Sequence, residues 1–71
     1  MNLIVTPRSE TPLYEQLYSQ IISQILSGEV AANHCLPSIR FVARELNISV
    51  IPVKAAYDKL EQEGYIYTVP G

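Results

Sequence analysis

The sequence predicts a mainly α-helical fold of three helices followed by a small β element. Along three segments, apolar residues recur at steps of three and four, which is the spacing of one helix face. Residues that favour helix ends stand between these segments. The stretch Tyr65–Val69 is rich in aromatic and β-branched residues, as strands are. With 48% hydrophobic and 17% charged residues in a chain of 71, the composition is that of one small folding domain.

The first predicted helix begins at Thr11-Pro12. Thr11 suits the N-cap, and Pro12 suits the first helical position, where the N–H that proline lacks would have no partner. Gly28 supplies a left-handed stop. Polar residues fill one face, and before the helix residues 2–5 form a short strand candidate. The apolar stripe consists of Tyr14, Leu17, Tyr18, Ile21, Ile22, Ile25 and Leu26.

After a loop from Glu29 to Leu36, a shorter second helix is predicted, capped by Ser38. Asn47 follows at a sharp turn, which suits it because asparagine tolerates the left-handed conformation well. The buried side of this helix is expected to be Ile39, Val42, Ala43 and Leu46.

The third predicted helix runs from about Val50 to Glu63, with Ser49 as N-cap and Gly64 as terminator. Pro52 lies in the first turn, where backbone N–H groups have no intrahelical partner. The core face of this helix is expected to be Val53, Ala56, Tyr57 and Leu60.

The order of a long helix, a short helix, a tight turn, a third helix and a strand is that of a three-helix winged helix-turn-helix. Tyr65–Val69 would begin the small β wing, residues 2–5 could join its sheet, and Pro70-Gly71 would open the turn. In this fold the second helix of the pair enters the major groove, and its first residues meet base edges. The sequence therefore indicates a DNA-binding function.

Several side chains are candidates for contact with the duplex. If Tyr57 and Leu60 face the core, Ile51, Lys54, Ala55 and Asp58 lie on the groove face. Arg40, near the start of the second helix, can reach a phosphate or a base, and Arg44, one turn further on, is a second candidate for DNA contact; the alternative is an ordinary surface pair. The helix starts at Ser38 and Ser49 carry partial positive charge that favours a phosphate. An alternative for Lys54 is an exposed pair with Asp58, four positions on.

A set of ordered motifs resembles a known family. The motifs are Pro12–Leu17, Gly28-Glu29, Leu36–Arg40, Asn47–Ser49, Val53–Tyr57, Leu60–Ile66 and Val69–Gly71. Together they are similar to the DNA-binding domain of GntR-type regulators, and the opening Pro-Leu-Tyr-Glu-Gln is most similar to the YtrA-like branch. The resemblance implies homodimeric bacterial repressors that bind palindromic operators and release them when a carboxy-terminal domain senses a ligand.

The same resemblance implies which positions touch DNA. They are Arg40, the recognition-helix start at Ser49, Val50, Ile51, Pro52 and Lys54, and Gly71 at the wing tip. The family often has arginine or another polar residue where this chain has Val50, and threonine where it has Pro52. The second wing strand and the effector and dimerisation part would lie beyond Gly71, so residues 1–71 are expected to be one DNA-binding domain with a truncated wing.

Other classes of function find less support. No catalytic constellation is present, and His34 with Cys35 is too small a set for a zinc site, so neither an enzyme nor a bound cofactor is expected. No signal peptide or membrane span is apparent, and a single cysteine suits the reducing cytoplasm. The net charge of −2 and the apolar run Val50–Pro52 leave one rival: a winged-helix module that binds a protein partner and not DNA.

Overall fold

A computed structural model of the chain describes residues 1–30 and 36–67. In these two ranges the elements are α1 (Leu13–Ser27), α2 (Ile39–Leu46) and α3 (Val50–Gln62). These bounds confirm the three predicted helices to within about a residue. The predicted N-cap at Thr11 is wrong: Pro12, with ψ of 150°, takes the N-cap position itself, so α1 begins one residue later than predicted. Residues 31–35, which include His34 and Cys35, and residues 68–71, which include Gly71, lie outside the described residues.

The core lies where α3 packs against both α1 and α2. The predicted core faces are confirmed except at two residues of α1: Tyr14 is half-buried but does not pack against the core cluster, and Leu26 is 71% exposed. Leu26 is nine positions after Leu17, so at ~100° per residue it lies about half a turn around the helix from that buried side chain. The buried cluster comprises Leu17, Ile21, Val42, Ala43, Val53, Ala56, Tyr57 and Leu60.

The turn between α2 and α3 has the predicted left-handed residue. Asn47 has φ of 56°, and its N–H donates to the carbonyl of Arg44 at 3.1 Å. The N–H of Ile48 donates to the carbonyl of Ala43 at 3.0 Å. This pair of bonds satisfies carbonyls that the end of a helix would leave without partners, and it directs the chain sharply into α3.

The predicted strand at residues 2–5 is wrong. The structure shows no strand in the described ranges, and this segment binds side chains of α1 in place of a sheet. The N–H of Ile4 donates to Oε1 of Gln20 at 2.9 Å, and Nε2 of Gln20 donates to the Ile4 carbonyl at 2.6 Å. A glutamine amide thus takes the place that a neighbouring strand would have.

Two further glutamines on the same face of α1 continue this pattern. Gln16 exchanges two hydrogen bonds with the backbone of Thr6, at 2.8 and 3.1 Å. Nε2 of Gln24 donates to the carbonyl of Asn2 at 2.6 Å. The side chains between these attachment points, Leu3 and Val5, pack against the core. We call Gln16, Gln20 and Gln24 the glutamine ladder.

The predicted strand at Tyr65–Val69 is not observed over the residues that the structure describes. Tyr65, Ile66 and Tyr67 are not in a strand, and Tyr65 and Ile66 pack against the helical core. A strand needs a partner to bind its backbone groups, and the described ranges contain none. The remainder of this prediction, Thr68 and Val69 with the turn at Pro70-Gly71, lies outside the described residues.

Candidate nucleic-acid interface

The core contacts of α3 determine which of its faces is exposed. Val53 and Leu60 are fully buried, and Tyr57 is 6% exposed. On the other side Ile51 is 74% exposed, and Lys54 is exposed as well. The orientation predicted from the apolar spacing is therefore confirmed: the side with Ile51 and Lys54 faces outward.

A hydrogen bond fixes α3 relative to the start of α2. The buried side chain of Tyr57 donates its hydroxyl to the carbonyl of Pro37 at 2.6 Å. Pro37 directly precedes Ser38, the N-cap of α2. Because a buried phenol needs a polar partner, this bond favours one placement of the two helices. The starts of both helices are thereby held in a defined relation.

The two helix starts differ in how their serines are used. At α2, Ser38 accepts a hydrogen bond from the N–H of Phe41 at 3.1 Å, as the predicted cap requires. At α3, Ser49 stands in the N-cap position, but its side chain makes no capping hydrogen bond. The residue three positions after Ser49 is Pro52, which has no N–H to donate. The prediction of a side-chain cap at Ser49 is therefore wrong, and its hydroxyl stays available.

Basic side chains accompany these helix starts. Arg40 and Arg44 lie one turn apart on α2, are exposed, and form no ion pair with any residue in the described ranges. Nζ of Lys54 lies 2.7 Å from Oδ2 of Asp58. The hydrogen bond to Asp58, together with the attraction between their charges, raises the pKa of Lys54. Lys54 is therefore a cation at neutral pH, and the pairing foreseen as an alternative for it is present.

A second polar cluster, which sequence reasoning missed, lies at the other end of α3. The hydroxyl of Tyr18 on α1 donates to the carboxylate of Glu63, and Nζ of Lys59 lies 4.2 Å from the centroid of the Tyr18 ring. The Glu63 hydrogen bond is the main cause that raises the pKa of Tyr18 to about 12. Tyr18 belongs to the predicted apolar stripe, and no local signal indicates that its hydroxyl would meet Glu63.

The remaining predicted contact positions fall at the start of α3 or beyond it. Val50 is 45% exposed and Pro52 is half-buried. The structure thus brings Ser49, Val50, Ile51 and Lys54 together on one exposed turn and a half of helix, and Ser38, Arg40 and Arg44 along α2.

No helix within residues 1–30 and 36–67 is long and apolar enough to cross a membrane.

Two helices joined by a tight left-handed turn, with the second one exposing its first turns, define the DNA-binding helix-turn-helix class. The sequence profile described as "Bacterial regulatory proteins, gntR family" matches residues 13–71. The chain therefore belongs to the GntR family of helix-turn-helix transcription regulators, which are regulators and not enzymes, as its motifs predicted.

Relatives of this chain agree with that assignment. The HTH-type transcriptional repressor YtrA of Bacillus subtilis (strain 168) is 39% identical over 67 residues, which are 94% of this chain and 52% of YtrA. The uncharacterized HTH-type transcriptional regulator YdeL of the same organism is 39% identical over 61 residues, 86% of this chain and 13% of YdeL. The chain thus spans about half the length of one curated relative and much less of the other.

A solved structure shows the same arrangement of helices. YtrA from Sulfolobus acidocaldarius, a GntR-family transcription factor, superposes with a TM-score of 0.89 at 37% identity. The match covers 94% of this chain and 71% of that one. At 37% sequence identity, this likeness supports the family assignment as well as the fold.

Proposed function

We propose that this domain binds operator DNA in a sequence-specific manner and is the DNA-binding part of a transcription repressor. The observation that carries the proposal is the orientation of α3, whose apolar face is buried while Ile51 and Lys54 face outward at its first turns. In a helix-turn-helix, that part of the second helix meets base edges in the major groove. Repression is supported by the relative YtrA of Bacillus subtilis, which is named a transcriptional repressor.

In this proposal α2 and the helix starts hold the domain on the phosphate backbone. Arg40 and Arg44 are exposed cations without an ion-pair partner in the described part of the chain, so phosphate contact breaks no existing bond. The start of α3 adds the Ser49 hydroxyl, which makes no capping bond, and the positive end of the helix dipole. Ser38 marks the corresponding start of α2.

The family also supports two features of the assembled regulator. We propose that Gly71 contacts DNA, and that two copies of the regulator bind the two halves of a palindromic operator. A two-fold symmetric dimer matches a palindrome because each protomer meets the same half-site sequence. We propose that the regulator binds its operator in the cytoplasm.

Replacement of Arg40 or Lys54 with alanine tests the proposed interface. A duplex ligand is first selected from random sequences, and binding is followed by fluorescence anisotropy over a range of salt concentrations. If the side chain contacts a base, affinity should fall about 5- to 150-fold. If it contacts a phosphate, the slope of log K against log salt should become shallower by about one.

Arg8→Ala is the matched control, because it removes the same charge from an exposed site on the amino-terminal segment. Unchanged binding by both the Arg40 and Lys54 variants would contradict the proposed geometry. The absence of any salt-sensitive duplex binding would favour the rival, in which the apolar residues Val50 and Ile51 meet a protein partner.

A further inference from the structure

Two adjacent apolar side chains stand at the first turn of α3 without a role in the core. Val50 is 45% exposed and Ile51 is 74% exposed, whereas Val53, on the same helix, is fully buried. A single exposed apolar residue is ordinary on a protein surface. Here, however, two lie side by side on the part of the helix that the proposed function directs at base edges. Their chemistry therefore bears on which bases are preferred.

Few hydrogen-bonding groups accompany them. Arginine, lysine, asparagine and glutamine are the side chains that read bases by paired hydrogen bonds. None of them occurs among residues 49–52, where Ser49 has the one polar side chain. Lys54 is the next candidate along the helix, but its amine is already bound by Asp58 at 2.7 Å. The first turn of α3 thus offers mainly an apolar surface.

In the major groove, the C5-methyl of thymine is the apolar group that distinguishes one base from the others. We propose that Ile51, assisted by Val50, selects thymine by contact with this methyl group. This inference rests on the proposed function and names what the groove-facing turn recognises. The preferred half-site then contains one or two thymines at the bases that face the start of α3, and their methyl groups contribute to affinity.

The helix holds this apolar pair in a fixed position. Isoleucine and valine are branched at Cβ, so each has one strongly preferred rotamer on a helix and loses little side-chain freedom on binding. The buried contacts of Val53 and the Tyr57 hydrogen bond to the Pro37 carbonyl position α3 itself. A rigid apolar surface discriminates between a methyl and a hydrogen better than a mobile one, because less ordering opposes the contact.

Deoxyuridine provides the test, because it differs from thymidine by the absence of the C5-methyl alone. In a duplex selected from random sequences with this 71-residue chain, each thymine is replaced in turn, and affinity is measured by anisotropy. At one or two positions we expect a loss of about fourfold, which is ~0.8 kcal/mol and the value for one buried methyl group. At the other positions we expect no change.

The Ile51→Ala variant assigns the effect to its residue. Its affinity for the thymine duplex should fall to about that of the wild type for the uracil duplex, and uracil replacement should then cost it clearly less than fourfold, because only the Val50 contact remains. Leu26→Ala is the matched control: Leu26 is also an exposed apolar side chain, but it lies on α1, so its variant should keep the full fourfold effect. Both substitutions are at exposed positions, and the core is unchanged.

The outcomes separate the two hypotheses. Saturable duplex binding that no uracil replacement weakens, or an equal effect in wild type and Ile51→Ala, overturns thymine selection by Ile51 while the proposed function stands. The absence of salt-sensitive duplex binding overturns both.

Discussion

At the start of α3, Pro52 changes what Ser49 does. In α2 the equivalent relation between Ser38 and Phe41 gives a capping hydrogen bond of 3.1 Å. In α3 the donor position is a proline, so the serine keeps its place in the backbone but makes no bond. Propensity alone predicts both caps equally, since serine is favoured at either position. The difference depends on a residue three positions away, which must be considered together with the serine.

In the proposed complex, Asp58 competes with DNA for the amine of Lys54. The pair lies at (i, i+4) spacing on the exposed face of α3, with side chains 64% and 50% exposed. Exposed pairs of this kind contribute little to folding. In the proposed complex, however, the carboxylate both occupies the amine and repels phosphate. We therefore expect Asp58 to limit affinity for DNA more than it stabilises the helix.

We expect Asp58→Asn to raise duplex affinity, by roughly 1.5- to 5-fold at low salt, the range that corresponds to breaking one exposed pair. The gain should shrink as salt rises, because screening weakens both effects. Anisotropy titrations at two salt concentrations measure it. Glu10→Gln removes the same charge from another exposed site and should give a smaller gain. Equal gains from both variants would mean that net charge, and not Lys54, is responsible.

The helices follow from local signals along the chain, whereas a strand depends on a partner elsewhere. α2 was predicted to its last residue because Ser38 and Asn47 mark its ends within the sequence itself. The segment at residues 2–5 has strand-like residues, but a strand also needs a partner strand, and this segment instead binds the glutamine face of α1.

At the candidate site, the exposed face containing Ile51 and Lys54 was predictable because burial of Tyr57 and Leu60 fixes it. The Tyr18–Glu63 contact, 45 residues apart, was not.

The glutamine ladder should contribute measurably to the attachment of the amino-terminal segment. Gln20→Ala removes both hydrogen bonds to Ile4, and we expect a loss of about 1 kcal/mol in the free energy of unfolding. The amide of Ile4 should also exchange its hydrogen faster. Urea unfolding and hydrogen exchange measure the two effects. Gln62→Ala, at an exposed glutamine of α3, is the control, and an equal loss there would indicate a general helix effect.

For the molecule as a whole, the distribution of charges matters more than their sum. The net charge of −2 argues against DNA when composition is considered alone. In the structure, however, Arg40 and Arg44 are exposed without an ion-pair partner in the described ranges, whereas Glu63 is bound to Tyr18 at the opposite end of α3 from Lys54. The overall charge is therefore compatible with an interface at the amino-terminal end of that helix.

The Tyr18–Glu63 contact joins α1 to the end of α3. It makes the free energy of unfolding depend on pH in the alkaline range. The pKa of Tyr18 is about 12 in the folded chain against 10.0 ordinarily, so between these values the unfolded chain loses this proton first. Stability from this group is complete below about pH 10 and falls as the pH rises toward 12.

We therefore expect the stabilising advantage of the wild type over Tyr18→Phe to decrease from pH 9 to pH 11.5, as measured by urea unfolding. Tyr67→Phe, at a tyrosine that is 67% exposed, is the control and should show no such dependence. An advantage of the wild type that is constant over this range would contradict the role of the Glu63 hydrogen bond.

The glutamine ladder also has a consequence for how two different backbone repeats fit together. Four residues of helix advance by about 6.0 Å, and two residues of extended chain advance by about 6.6 Å. Gln16, Gln20 and Gln24 therefore meet Thr6, Ile4 and Asn2 nearly in step, with a mismatch of only ~0.6 Å per rung. The near-equality locks the alignment of the two segments, since a slip by one residue would turn Leu3 and Val5 out of the core. The accumulating offset also limits how many rungs such a side-chain zipper can have.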